Sequence, residues 1–403
     1  MTDHTTSYRP VPGVRLSAAA AGIRYQGRDD LALMALPAGA RCTAVFTRNA
    51  FCAAPVLVAK HHLAVASPRY LLINSGNANA GTGEQGLADA AASCAALAGL
   101  TDCRAEEVLP FSTGVIGENM PPSRLEAALP VALKRLREDA WPDAARAIMT
   151  TDTVPKLATR RFTVAGRTAV VTGMAKGAGM IRPDMATMLA FLATALAVDQ
   201  TLLRDCLRDA VKTSFNAITI DGDTSTNDAC VLAATGTLGN APLDDPGSPD
   251  FAAFRAAVEA VCRELATAIV RDGEGATKLV RIRVEAARDA TEARRVADTI
   301  AHSPLVKTAL FAADPNWGRI LAAVGRADVD RLDIAAVRIW LGDLCIVSRG
   351  GRDPDYTEAA GQAVMKEEDI EIRVTLGRGK ATIEVLTCDL SYDYVRINAE
   401  YRT

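Results

Sequence analysis

The sequence predicts a layered α/β fold, a sandwich with sheets inside and helices outside, and three observations carry that reading. Strand-like and helical segments alternate along the 403 residues, with no internal repeat of about 20 to 50 residues. From 188 to 198 only Thr194 interrupts a run of Met, Leu, Ala, Phe and Val, which reads as a fully buried strand or a short buried helix. The end of the chain is strand-rich, with candidates at 370–376, 380–387 and 394–403. A chain of this length can bury more than one core.

In order, residues 22–25, 30–35 and 43–49 are short strand candidates bounded by turn residues. Residues 70–74 are another, ending in the polar run 75–83, which reads as a turn before a helix over 86–97. Residues 108–117 are a strand running into a Thr-Gly turn. Residues 122–149 have the Ala, Leu and Arg content of helices, with breaks expected at Pro130 and Pro142. Amphipathic helices follow at 199–214 and 249–271, separated by an acidic loop, 218–228, and a hairpin through Gly236. Residues 290–311 read as helix, and 313–319 as a turn leading into a further helix.

Composition narrows the function. A net charge of -3 leaves no basic balance for nucleic acid or an anionic membrane. No apolar run approaches the roughly 18 to 20 residues needed to span a bilayer. Residues 1–22 lack the charged-then-apolar order of a signal peptide, so the cytoplasm is the expected location. The nine cysteines are widely spaced, with no Cys-x-x-Cys pair, and read as reduced, mostly buried thiols. With only four histidines, a His-based triad or metal site has few candidates. An enzyme built from this chain needs its base elsewhere, and an N-terminal amine supplies one.

The stretch that organises the chain is Lys176-Gly-Ala-Gly-Met-Ile-Arg-Pro-Asp-Met-Ala-Thr-Met-Leu. Gly177, Gly179 and Pro183 forbid a regular helix, and the buried run begins directly after Thr187. A threonine with backbone adjustable on one side and fixed on the other is placed as a nucleophile. Gly173 to Gly179 lacks the Gly-Lys-Ser/Thr of a phosphate loop, which argues against nucleotide binding. Elsewhere, Thr113 and Gly114 are candidate oxyanion donors, and the polar run from Thr150 and Thr151 to Thr153 reads as a helix cap or the start of a strand. Asp221, Asp223 and Asp228 invite a calcium reading, but the loop has Leu232 where an EF-hand loop needs Glu. A structural loop is the expectation.

Residues 176–192 resemble the cleavage segment of the ornithine acetyltransferase family, with Arg182 and Asp184 departing from its usual pattern. Matches continue in order through Asn-Ser-Gly-Asn-Ala-Asn at 74–79, Ser-Thr-Gly at 112–114, and Asp-Gly-Glu-Gly at 272–275. They extend to Asp-Pro-Asn-Trp-Gly at 314–318, read as scaffold, and to Asn398. The resemblance implies self-cleavage between Ala186 and Thr187, giving an α chain of 1–186 and a β chain of 187–403. It also implies a fold of the N-terminal-nucleophile type, in which Thr187 is nucleophile and, through its own amine, base. Thr113 and Gly114 become the oxyanion hole. Thr150 or Thr151, Lys176, Thr187, Glu274, Asn398 and Thr403 become substrate contacts. The implied reaction moves an acetyl group from N-acetyl-L-ornithine to L-glutamate, in arginine biosynthesis. No metal or cofactor is implied; acetyl-CoA is a second donor in the bifunctional class of the family, and no residue here decides between the classes. The implied assembly is a heterotetramer of two α and two β chains. A self-processing aminopeptidase, whose acyl-enzyme is resolved by water, is the rival reading.

Overall fold

The computed structural model describes residues 8–182 and 188–400. In chain order it contains β1 (Arg15–Ala19), β2 (Leu31–Ala35), β3 (Arg41–Phe46), α1 (Ala54–Val65), β4 (Tyr70–Asn77), α2 (Gly83–Gly99), β5 (Val108–Val115), α3 (Pro122–Lys134), α4 (Trp141–Ala147), β6 (Lys156–Val164) and β7 (Arg167–Lys176). Beyond Met188 come β8 (Leu189–Thr194), α5 (Gln200–Lys212), β9 (Ala229–Ala234), α6 (Pro249–Arg271), β10 (Leu279–Ala287), α7 (Ala290–Ala301), α8 (Pro304–Phe311) and α9 (Trp317–Gly325). The chain continues through β11 (Arg338–Leu341), β12 (Leu344–Ser348), β13 (Gly351–Arg352), α10 (Glu358–Met365), β14 (Asp369–Thr375), β15 (Ala381–Cys388) and α11 (Tyr392–Glu400).

The strands form three sheets, in the orders β1-β2-β4-β5, β3-β9-β8-β7-β6 and β13-β12-β11-β14-β10-β15. The first two face each other across one core, in which Leu16, Met34, Ile73 and Phe111 meet Met174, Phe191 and Val231. Phe111 and Phe191 touch edge to face there, 5.0 Å between centroids. The outer face of the first sheet is covered by α2 and α3, and that of the second by α5 and α6. The predicted layering, sheets inside and helices outside, is therefore what the chain forms. The third sheet, all from after Met188, carries α7 and α9 on its own core.

Strand β8 explains the apolar run. Leu189, Phe191 and Ala193 face the inter-sheet core while Ala190 and Leu192 face α5 and α6. Side chains alternate along a strand, so a strand buried on both faces is apolar throughout. Its partners come from both sides of residue 187: β7 is antiparallel to it, Lys176 beside Leu189, and β9 is parallel, Leu189 beside Ala229.

Several expectations are corrected. Residues 22–25 form a bend, not a strand, and the strand of that region is β1, which pairs with β2. Pro130 does not break α3: it lies on the exposed side while Leu125, Ala128, Leu129 and Ala132 are buried, so the bond it cannot donate is lost only where water replaces it. Pro142 instead starts α4. No hairpin forms through Gly236, because β9 already has β8 and β3 on its two edges. The chain runs back beside 195–198 instead, with Leu238 and Leu243 donating to the Ala195 and Ala197 carbonyls. The helix over 290–311 is two helices, with Ser303 capping the second. The last segment, read as a strand, is helix α11. Thr219 donates to the Leu386 carbonyl on the outer edge of β15, and Ser391 then accepts the Tyr394 N–H and turns the chain.

Candidate active site

Two glycines shape the turn that carries Thr113 and Gly114. Strands β4 and β5 run parallel with Gly76 beside Gly114, and the register slips at Asn77. Gly114 has φ +133, and a Cβ on it would lie 2.6 Å from the Asn77 nitrogen. Only glycine permits that approach. The polar run after residue 74 leads into α2, as read from sequence, and is buried scaffold: Asn74, Ser75, Asn77 and Asn79 are all buried. Asn227 ties it to the rest of the site by donating to the Ala78 carbonyl (2.6 Å) and the Ser112 carbonyl (2.9 Å).

Lys176 ends β7, buried, and its Nζ donates to Thr113 Oγ1 at 3.2 Å. Burial pushes its amine below the ordinary lysine value, and the carboxylate of Asp152 works against that shift. Gly177 follows at φ +150, and its N–H donates to Asp152 Oδ1 at 2.6 Å. A Cβ on Gly179 would sit 2.5 Å from the carboxylate of Glu274, so a side chain there would displace that carboxylate. Glu274 is buried, not exposed on a solvated turn, and accepts from Asn398 Nδ2 at 2.7 Å. Because the terminal segment is helical, Asn398 and Tyr394 are four apart on one helix face, and both line the cleft.

The acidic loop is structural in part. Asp221 accepts the N–H groups of Met180 (2.5 Å) and Ile181 (2.9 Å), holding Met180 at φ 55. Thr219 Oγ1 and the Ile220 N–H both donate to the Ile181 carbonyl, and Thr224 Oγ1 donates to that of Arg182. On the far side, the Met188 carbonyl accepts from Ala229 at 2.8 Å. The described residues bordering 183–187 are therefore gripped at both ends. Ala186 and Thr187 themselves lie outside the described residues, as does Thr403. Beside Met188, Asp228 is fully buried, and burial pushes its carboxyl well above the usual range.

These elements enclose a cleft of about 250 Å³, small enough to suit a single amino-acid derivative. Thr113, Gly114, Thr150, Thr151, Lys176, Glu274 and Asn398 all line it. Both Thr150 and Thr151 face it; Thr153 does not, being bonded to Asp272. Sequence reasoning missed Tyr394, Ser225 to Asn227, and the roles of Asp221 and Asp223 on the wall. The density of polar residues over 221–228 was the available signal, but nothing local says which of them turn inward. His62 and His302 are committed elsewhere, to the Val108 carbonyl and Thr219 Oγ1. Among the described residues, no three His, Cys, Asp or Glu side chains converge as a metal site would need.

Comparison with known proteins places the chain among close relatives. The model of the ArgJ family matches residues 15–403. The arginine biosynthesis bifunctional protein ArgJ of Methylococcus capsulatus is 62% identical over 394 residues, 98% of this chain and 96% of its own length. That of Pseudomonas syringae pv. tomato is 54% identical, over 98% of this chain and 97% of its own. A crystal structure of arginine biosynthesis bifunctional protein argJ from Bacillus halodurans is 40% identical with a TM-score of 0.50, covering 52% of this chain and 98% of its own.

Proposed function

The chain belongs to the ArgJ family, and from that premise we propose that its cleft carries the acetyl group of N-acetyl-L-ornithine to L-glutamate through an ester on Thr187. It is an acetyltransferase of arginine biosynthesis. The observation that carries the reading is the convergence of Thr113, Gly114, Lys176 and Glu274 on one amino-acid-sized cleft bordered by residues 180 and 188.

In the forward half-reaction Thr187 Oγ attacks the acetyl carbonyl and its proton passes to the α-amine of Thr187. The ordinary pKa of such an amine, about 7.7 to 8.0, leaves a neutral fraction at physiological pH. Thr113 and Gly114 stabilise the oxyanion. The amide C–N bond then breaks, and ornithine leaves with the proton. The neutral amine of glutamate attacks the ester, its proton returns to Thr187 Oγ, and N-acetylglutamate departs. Lys176 offers its ammonium to the substrate α-carboxylate, and Glu274 meets the ammonium of the donor.

The same threonine cuts the chain. Its Oγ attacks the Ala186 carbonyl, the acyl group shifts from nitrogen to oxygen, and water hydrolyses the ester to leave 1–186 and 187–403. The hydrogen bonds that fix 180–182 and Met188, the described residues on either side of 183–187, support this. So does the half-length Bacillus chain, as a cut near the midpoint would produce. Two cleaved pairs then form the heterotetramer.

The deciding assay supplies N-acetyl-L-ornithine with and without L-glutamate. Acetyl transfer that depends on glutamate supports the reading; acetate release at the same rate without it would mean a hydrolase. Acetyl-CoA in place of the ornithine donor tests the bifunctional activity named for the relatives. Glu274→Gln removes the charge opposite the donor ammonium, and KM for N-acetyl-L-ornithine is expected to rise roughly 10- to 100-fold. An unchanged KM would remove Glu274 from that role.

A further inference from the structure

Beneath the cleft lies a buried ionic chain that none of the chemistry above uses. Lys156 is 2% exposed, and its Nζ binds Asp152 Oδ1 and Asp272 Oδ2, each at 2.6 Å. Asp152 Oδ1 also receives the Gly177 N–H at 2.6 Å, and its Oδ2 receives that of Thr150 at 3.1 Å. Asp272 accepts the Thr153 N–H and ends α6, two positions before Glu274. Three buried side chains thus join the segments that carry Thr150, Lys176 and Glu274. Removing two carboxylates and an ammonium from water is costly, and such a brace gains little stability that an apolar trio would not give.

We propose that Asp152 is the positioning residue that holds Lys176 in place as the cationic pole of the cleft, while Lys156 and Asp272 extend the brace to the anionic pole at Glu274. The proposal rests on the acetyltransferase reading and deepens it. A fixed spacing between a buried cation and a buried anion selects a ligand with a carboxylate and an ammonium the same distance apart. N-acetyl-L-ornithine has both, and N-acetyl amino acids with uncharged side chains have only one.

The charged groups around Lys176 are Asp152, Lys156, Asp228 and Glu274. Asp152 is itself raised by burial but brought down to about 2 by Lys156, Lys176 and the Gly177 N–H, so it is ionised at every working pH. Its charge opposes the loss of the Lys176 proton. Lys176 is charged below its own depressed pKa and neutral above it, so carboxylate binding is lost as pH rises through that value. Taking the Asp152 charge away moves this limb to lower pH.

The test uses the processed full-length enzyme and the variants Asp152→Asn and Asp272→Asn, with cleavage read by mass and folding by thermal melting. KM and kcat for N-acetyl-L-ornithine are measured from about pH 6 to about pH 10. For Asp152→Asn, KM rises about 10-fold at neutral pH, kcat falls by less, and the alkaline limb of KM moves down by about one pH unit. Asp272→Asn raises KM without moving the limb. A folded, cleaved Asp152→Asn with wild-type KM and an unmoved limb overturns the proposal. Should that variant fail to fold, the wild type decides: a KM that stays flat to about pH 10, with no rise below the ordinary lysine value of 10.5, overturns it equally. If the wild type transfers no acetyl group, the acetyltransferase reading fails by itself, and calorimetric binding of N-acetyl-L-ornithine across the same pH range still reports the limb.

Discussion

Thr187→Ala protein is expected to purify as one uncut chain without measurable acetyl transfer, while the wild type separates in denaturant into 1–186 and 187–403. Loss of a nucleophile that acts as a unit with its base costs on the order of 10⁴-fold or more in kcat. Here it also removes the amine, because no new N-terminus forms. Among the described residues, His62 and His302 are already hydrogen-bonded outside the cleft, and Lys176 is bonded to Thr113. Intact-mass spectrometry checks the cut and a coupled assay checks the transfer. A Thr187→Ala chain still cleaved at 186–187, or an uncut wild type that turns over, would sink the mechanism. Without denaturant the two pieces stay together, since β7 and β8 pair along their length, from Val171 beside Thr194 to Lys176 beside Leu189.

Gly114→Ala is expected to lower kcat roughly 100- to 1,000-fold, the loss that follows when an oxyanion donor is misplaced. The methyl group would overlap the Gly76–Asn77 peptide, and φ +133 is a conformation that alanine resists. Strand β5 must then move away from β4, carrying Thr113 and its contact with Lys176 along with it. KM changes much less, because Glu274 and Asn398 stand on other elements. Steady-state kinetics and a melting curve separate the two effects. A well-folded, self-cleaved Gly114→Ala with kcat within about twofold of wild type would show that this turn does not hold the oxyanion.

Much of the molecule was legible in the residues. Helix α6 begins at Pro249 after the Ser248 cap and ends at Arg271, where the periodicity and the glycines at 273 and 275 put it. Such features are local: a cap, a proline or a repeat of apolar positions acts over a few residues. The terminal segment misled because alternating Tyr, Val and Ile favour a strand only if an edge is free to pair with. Here the outer edge of β15 already meets Thr219.

By itself the sequence determined the α/β layering, the buried apolar run after residue 188 and, through ordered motifs, the family. Only the tertiary structure decided that Glu274 is buried, that Tyr394 and Asn398 share a helix face on the cleft, and that Asp152, Lys156 and Asp272 brace its two poles. The reason is physical: helix caps and strand periodicity are written in neighbouring residues, whereas burial, charge pairing and the place of a carboxylate depend on what arrives from 116 residues away, as Asp272 does at Lys156.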